Sequence, residues 1–79
     1  MEKSKVYFID LRTKPGDSLI TKLQRLCVVG GFNDLDLDGK FVAIKMHFGE
    51  LGNLAFLRPN YAKAIVDLVK QKNGKPYLT

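Results

Sequence analysis

An α/β fold of order β-α-β-α-β is what this sequence predicts, on three observations. Short β-branched and aromatic runs recur near residues 5–10, 41–47 and 75–79. Two segments of helical period lie between them, and glycine or proline punctuates every junction. Such alternation implies a three-layer arrangement around a mostly parallel sheet, because parallel strands need a crossover connection and a helix supplies it. Two helices and three strands make half of a doubly wound domain. With residues 75–79 still reading as strand, the expectation is a single partial α/β domain over residues 1–79, the amino-terminal piece of something larger.

The first strand is expected over Lys5-Val6-Tyr7-Phe8-Ile9-Asp10. Lys14-Pro15-Gly16 breaks it, and Asp17 or Ser18 is suited to cap the helix that follows. Leu19, Leu23, Leu26 and Cys27 fall at i, i+4, i+7 and i+8, one apolar helical stripe. Gly30-Gly31 is its stop signal, since glycine enters the left-handed region without a Cβ clash. Asn33 to Lys40 is an acidic connection ending in an Asp-Gly turn. Its alternating aspartates resemble the start of a calcium loop, but the twelfth position counted from Asp34 is Lys45 rather than glutamate, which excludes that reading.

The second strand is expected over residues 41–47, with Val42, Ile44 and Met46 on one face and Phe41, Ala43, Lys45 and His47 on the other. Pro59 suits the first position of the second helix, in which Tyr61, Ala64, Ile65, Leu68 and Val69 recur with helical period. Asn73-Gly74 closes it, and Lys75 to Thr79 begins the third strand.

Composition bounds the classes of function. Seventy-nine residues make one small domain that buries about 60–65% of its unfolded surface, so stability is marginal. Hydrophobic residues at 46% and charged residues at 27% match globular averages. No apolar run approaches the ~18 residues of a membrane span, and the first residues do not resemble a signal peptide, so the expected setting is cytoplasmic. The net charge of +5 raises nucleic acid as a partner. Only Lys70 to Lys75 is a local basic cluster, however, at a helix end where cations complement the macrodipole. Nucleic acid is therefore the lesser alternative, carried if at all by Lys63, Lys70, Lys72 and Lys75.

The residues richest in chemistry gather just past the second strand. Lys45 and His47 share a face at its carboxyl end, followed by Glu50, Asn53 and, beside the second helix, Arg58. Ligands of open α/β sheets bind outside the carboxyl ends of the strands, and Asp10, ending the first strand, is expected at the same edge. Gly49 and Gly52 permit tight turning. Arg58, with the N–H groups of Asn60 and Tyr61, is suited to a small anion. The candidate assignments are His47 as general acid or base, with Lys45 and Glu50 as catalytic partners, and Asp10, Asn53 and Arg58 as ligand-binding residues. Each has a structural alternative, such as an ion pair of Lys45 with Asp10 or Glu50. No reaction is specified: a dinucleotide fingerprint, a P-loop and a Cys-x-x-Cys are all missing. His47 and Glu50 are too few ligands for a protein metal site.

The segments 6–12, 39–50, 52–54 and 58–61, with the run Lys45-x-His47-x-Gly49-Glu50-x-Gly52-Asn53 at their centre, resemble the start of the bacterial and archaeal domain-of-unknown-function family number three-hundred-and-sixty-two. Members of that family often carry ferredoxin-type iron–sulfur modules. The resemblance implies an iron–sulfur-associated, redox-linked parent protein whose cluster cysteines lie far downstream. No such group is expected on this chain, since a cluster normally takes four thiolates and Cys27 is the single cysteine. Unpaired strand edges and helix faces left uncovered in a half-domain also lead us to expect a homo-oligomer.

Overall fold

The computed structural model describes residues 3–47 and 49–79. The elements run α1 (Leu19–Val29), a 3₁₀ turn (Phe32–Asp34), β1 (Phe41–Ile44), α2 (Pro59–Gln71) and β2 (Lys75–Leu78). β1 and β2 are parallel, with Phe41 opposite Lys75 and Ile44 opposite Leu78. The ladder runs past the carboxyl ends of both strands, because the Thr79 N–H reaches the Ile44 carbonyl and the Met46 N–H reaches that of Thr79.

α2 is the centre of the molecule. Ala62, Ala64, Leu68 and Val69 are the buried apolar residues among those described, and all four lie on it. One of its sides meets both strands and another meets α1. Val42, Ile44 and Met46 are half-buried while Phe41, Ala43, Lys45 and His47 are exposed, the alternation expected of a strand covered on one face. The other face of the sheet stays open, with Phe41 77% exposed.

The end of α2 shows why Asn73-Gly74 stops it. Asn73 takes φ 61°, the Asn73 N–H donates to the Lys70 carbonyl, and the Gly74 N–H donates to that of Val69. This is the paired 5→2 and 6→1 closure of a Schellman motif. Gly74 is required by space, since a Cβ there would stand 2.7 Å from Val69 Cγ1. At α1, Ser18 is the cap, its hydroxyl accepting the Thr21 N–H at 3.2 Å. Gly30 closes the helix onto the Leu26 carbonyl in a right-handed conformation, and Gly31 after it takes the left-handed one at φ 109°.

Two expectations are corrected. Lys5–Asp10 forms no strand: the segment is unpaired, with Val6 87% and Phe8 83% exposed. Lys22 Nζ instead takes the Asp10 carboxylate at 2.8 Å, the Asp10 carbonyl at 2.9 Å and the Arg12 carbonyl at 2.6 Å. These bonds tether the end of the segment to α1. Strand propensity reflects fit to a pleated surface and needs a paired neighbour to be realised. The second correction concerns α1, which packs on α2 and touches neither strand among the described residues. The fold is thus a small α/β unit of two helices and two parallel strands, in place of a three-layer β-α-β-α-β sheet covered on both faces.

Candidate functional site: the 45–58 loop and a cleft between two helix starts

The loop after β1 is organised by Asn53. The Asn53 N–H donates to the Glu50 carbonyl at 2.9 Å, closing a tight turn whose corner holds Gly52 at φ 83°. Its side-chain oxygen accepts the Ala55 N–H at 2.9 Å, which orients the amide and sends Nδ2 to His47 Nε2 at 3.2 Å. Nδ2 is a donor only, so Nε2 must accept, and neutral His47 carries its proton on Nδ1. The Leu57 N–H closes the loop onto the His47 carbonyl. Lys45, His47 and Glu50 are all exposed, while Asn53 is half-buried.

Asp10 and Arg58 lie apart from this arrangement. With no first strand, Asp10 is not at a sheet edge. Its carboxylate is engaged by Lys22 and by the Arg12 guanidinium at 3.1 Å. The Lys22 ammonium, then the Arg12 N–H, hold that carboxyl below the usual carboxylate range.

Arg58 is the N-cap residue of α2, its extended backbone (φ −70°, ψ 145°) leading into Pro59. It lines an open cleft of about 710 Å³ together with Thr13, Lys14, Asp17, Ser18 and Asn60. The starts of α1 and α2 therefore open into one concavity. The Leu19, Ile20 and Asn60 N–H groups find no acceptor among the described residues, as expected in a first helical turn. Of the two α2 donors expected from sequence, Tyr61 is used internally, its N–H on the Arg58 carbonyl at 3.1 Å. Among the described residues, Asp17 is the one carboxylate in the cleft. Arg25 holds its Oδ2 at 3.0 Å and keeps its carboxyl below the usual range. Lys14 and Arg58 thus leave the concavity cationic.

None of Asp10, Lys45, His47, Glu50 or Asn53 lines this cleft. Of the six candidates, the structure joins His47 to Asn53 by side chains and Glu50 to Asn53 by backbone, and sends Arg58 elsewhere. The contribution of Thr13, Lys14 and Ser18 was missed. No short window of sequence carries a signal for it, because the packing of α1 on α2 is what brings the two helix starts together. An apolar groove of about 340 Å³, formed by Ile9, Leu11, Leu19, Leu23, Leu57 and Tyr61, adjoins the cleft and shares Leu19 and Tyr61 with it.

The basic residues near the end of α2 are largely engaged within the chain. Lys63 pairs with Asp67 at 2.8 Å, Lys72 donates to the Asn33 carbonyl at 2.7 Å, and Lys75 lies 5.1 Å from the centre of the Phe41 ring. Cys27 is half-buried on α1, and burial pushes its thiol up. A single thiol of this kind does not fit an iron–sulfur cluster, which takes four. No described helix is long and apolar enough to cross a membrane.

Comparison of the chain with protein-family models, with curated proteins and with solved structures found no match.

Proposed function

We propose that this chain is a binding module for a small anion bearing a phosphate or carboxylate group, held in the cleft between the starts of α1 and α2. The observation that carries the reading is that Arg58 and Lys14, far apart in sequence, line one concavity into which the two helix starts open. A guanidinium offers a planar fork of donors to such an oxyanion, and unpaired first-turn N–H groups add short-range directional donors with the favourable end of the helix dipole. The adjoining apolar groove suits the non-polar part of an organic anion. Binding is preferred over catalysis because Lys45, His47 and Glu50 stand outside the cleft. The iron–sulfur-associated parent rests on the family resemblance, and its cluster would draw its ligands from outside this chain.

The test is a titration of the ¹⁵N-labelled protein with inorganic phosphate, pyrophosphate and a short-chain fatty carboxylate, followed by amide shifts. Saturable shifts at Leu19, Ile20 and Asn60 are expected. Arg58→Ala and Lys14→Ala should each weaken binding by roughly tenfold, the usual cost of one charged hydrogen bond. Saturable shifts confined to residues 45–53 would move the site to the His47 loop, and no saturable shift would end the proposal.

A further inference from the structure

The two-stranded sheet has two outer edges, and they are not equivalent. In the β1–β2 ladder the Lys40 and Ile44 carbonyls and the Met46 N–H face β2. Backbone groups alternate along a strand, so Phe41, Ala43 and Lys45 turn theirs to the outer edge of β1. There they find no partner among the described residues. The outer edge of β2 is blunted, because Pro76 has no N–H to offer. β1 therefore presents the one edge with an unbroken row of donors and acceptors, a ready template for another strand.

We infer that two copies of this chain pair through this edge, β1 against β1 in antiparallel register about a two-fold axis at Ala43, making one four-stranded sheet. The edge is self-complementary in that register. Ala43 meets Ala43 of the second copy as a mutually hydrogen-bonded pair, and its methyl group does not obstruct close approach. Phe41 faces Lys45 of the second copy, so each Lys45 stands opposite an aromatic side chain rather than opposite the other Lys45. Lys75 already lies over the Phe41 ring from the β2 side within the chain.

The exposed area leaves room for a second copy. A folded monomer of 8.9 kDa exposes about 4,800 Å², whereas this chain exposes 6574 Å². The excess, roughly 1,800 Å², is more than the ~800 Å² that each partner contributes to a standard interface. The chain's own Lys5–Asp10 segment does not cover the edge, being tethered at Asp10 to α1, which touches neither strand.

Sedimentation and light scattering across a concentration series should give roughly twice the 8.9 kDa chain mass. Ala43→Pro removes an N–H that the chain does not use internally and fixes φ at a value that strands tolerate at an edge, so it should yield a monomer with unchanged helical circular dichroism. In a Cys27→Ser background, Ala43→Cys should cross-link between copies on mild oxidation, because a hydrogen-bonded antiparallel pair sets the Cα atoms about 5.5 Å apart. Tyr77→Cys, on β2, should not cross-link. A wild-type monomer at millimolar concentration would overturn the inference, including one whose Ala43 amide is protected from exchange, which would assign the edge to Lys5–Asp10 of the same chain. So would a folded Ala43→Pro dimer of unchanged affinity. If Ala43→Pro fails to fold, the cross-link decides, and its absence overturns the pairing.

Discussion

Lys22 holds Asp10 by two atoms at once, its Nζ lying 2.8 Å from Oδ1 and 2.9 Å from the backbone carbonyl oxygen of the same residue. The lysine side chain is only 12% exposed, against 45% for the aspartate, so α1 supplies a largely enclosed ammonium to an otherwise unpaired segment. This one residue replaces the ladder that residues 5–10 would have had as a strand.

Lys22→Met keeps the packed stem and removes the ammonium. Backbone ¹⁵N relaxation is expected to show residues 5–12 becoming more mobile, by the modest amount expected of a partly exposed ion pair, with little change in α2. The pH dependence follows from the depressed carboxyl of Asp10. A lowered folded-state value means that the stabilisation is complete above the ordinary aspartate value of about 3.9. It is lost as pH falls through the lower folded value. Acidification below pH ~4 should therefore release the segment in the wild type and change the Lys22→Met protein far less. Backbone ¹⁵N relaxation of residues 5–12 at pH 6, 4 and 3 checks this, and equal acid sensitivity in both proteins would refute it.

Gly74→Ala places a methyl group 2.7 Å from Val69 Cγ1 and 3.2 Å from the Val69 and Leu37 carbonyls. Val69 is 1% exposed and has no free space into which to retreat. A loss of about 1–3 kcal/mol is expected from this overpacking. At this chain length each lost kcal/mol lowers the melting temperature by about 4–8 °C. In a Val69→Ala background the same substitution should cost less, because the nearest atom has gone and the two positions are coupled. Thermal melts of the four proteins form the cycle, and strict additivity would show that the clash is not with Val69.

The Asn53 amide fixes the tautomer of His47. Imidazole ¹⁵N spectra of the neutral protein should show the proton predominantly on Nδ1, and Asn53→Ala should shift the population toward Nε2–H. Because Asn53 also accepts the Ala55 N–H, the substitution should broaden the 50–57 amides as well. A wild-type spectrum already dominated by Nε2–H would remove Asn53 as the residue that orients the ring.

Local signals read correctly wherever the structure is itself local. Pro59, the apolar positions Ala64, Leu68 and Val69, and the Asn73-Gly74 stop delimit α2 from sequence alone, because capping, periodicity and left-handed turns depend on neighbours within a few residues. For α1 the sequence leaves Asp17 or Ser18 as the cap and Gly30-Gly31 as the stop, and the structure uses Ser18 and Gly30. The alternation of Val42, Ile44 and Met46 against Phe41, Ala43 and Lys45 identifies the covered face of β1, since side chains alternate in any strand. The parallel pairing of β1 with β2 follows from the helix between them.

Which surfaces meet was decided by the tertiary structure. Val6, Tyr7 and Phe8 have the composition of a strand, yet strand formation needs a neighbour at hydrogen-bonding distance, and Lys22 holds the end of that segment on α1. The stripe of Leu19, Leu23 and Leu26 marks an apolar helix face without saying whether a sheet or another helix covers it. α2 covers it. Closeness in sequence likewise grouped Arg58 with His47, but the start of α2 turns Arg58 toward Lys14, forty-four positions earlier in the chain. Propensity and periodicity are properties of a few adjacent residues and were readable. The pairing of distant surfaces depends on which apolar faces bury best against one another, and no short window of sequence contains that comparison.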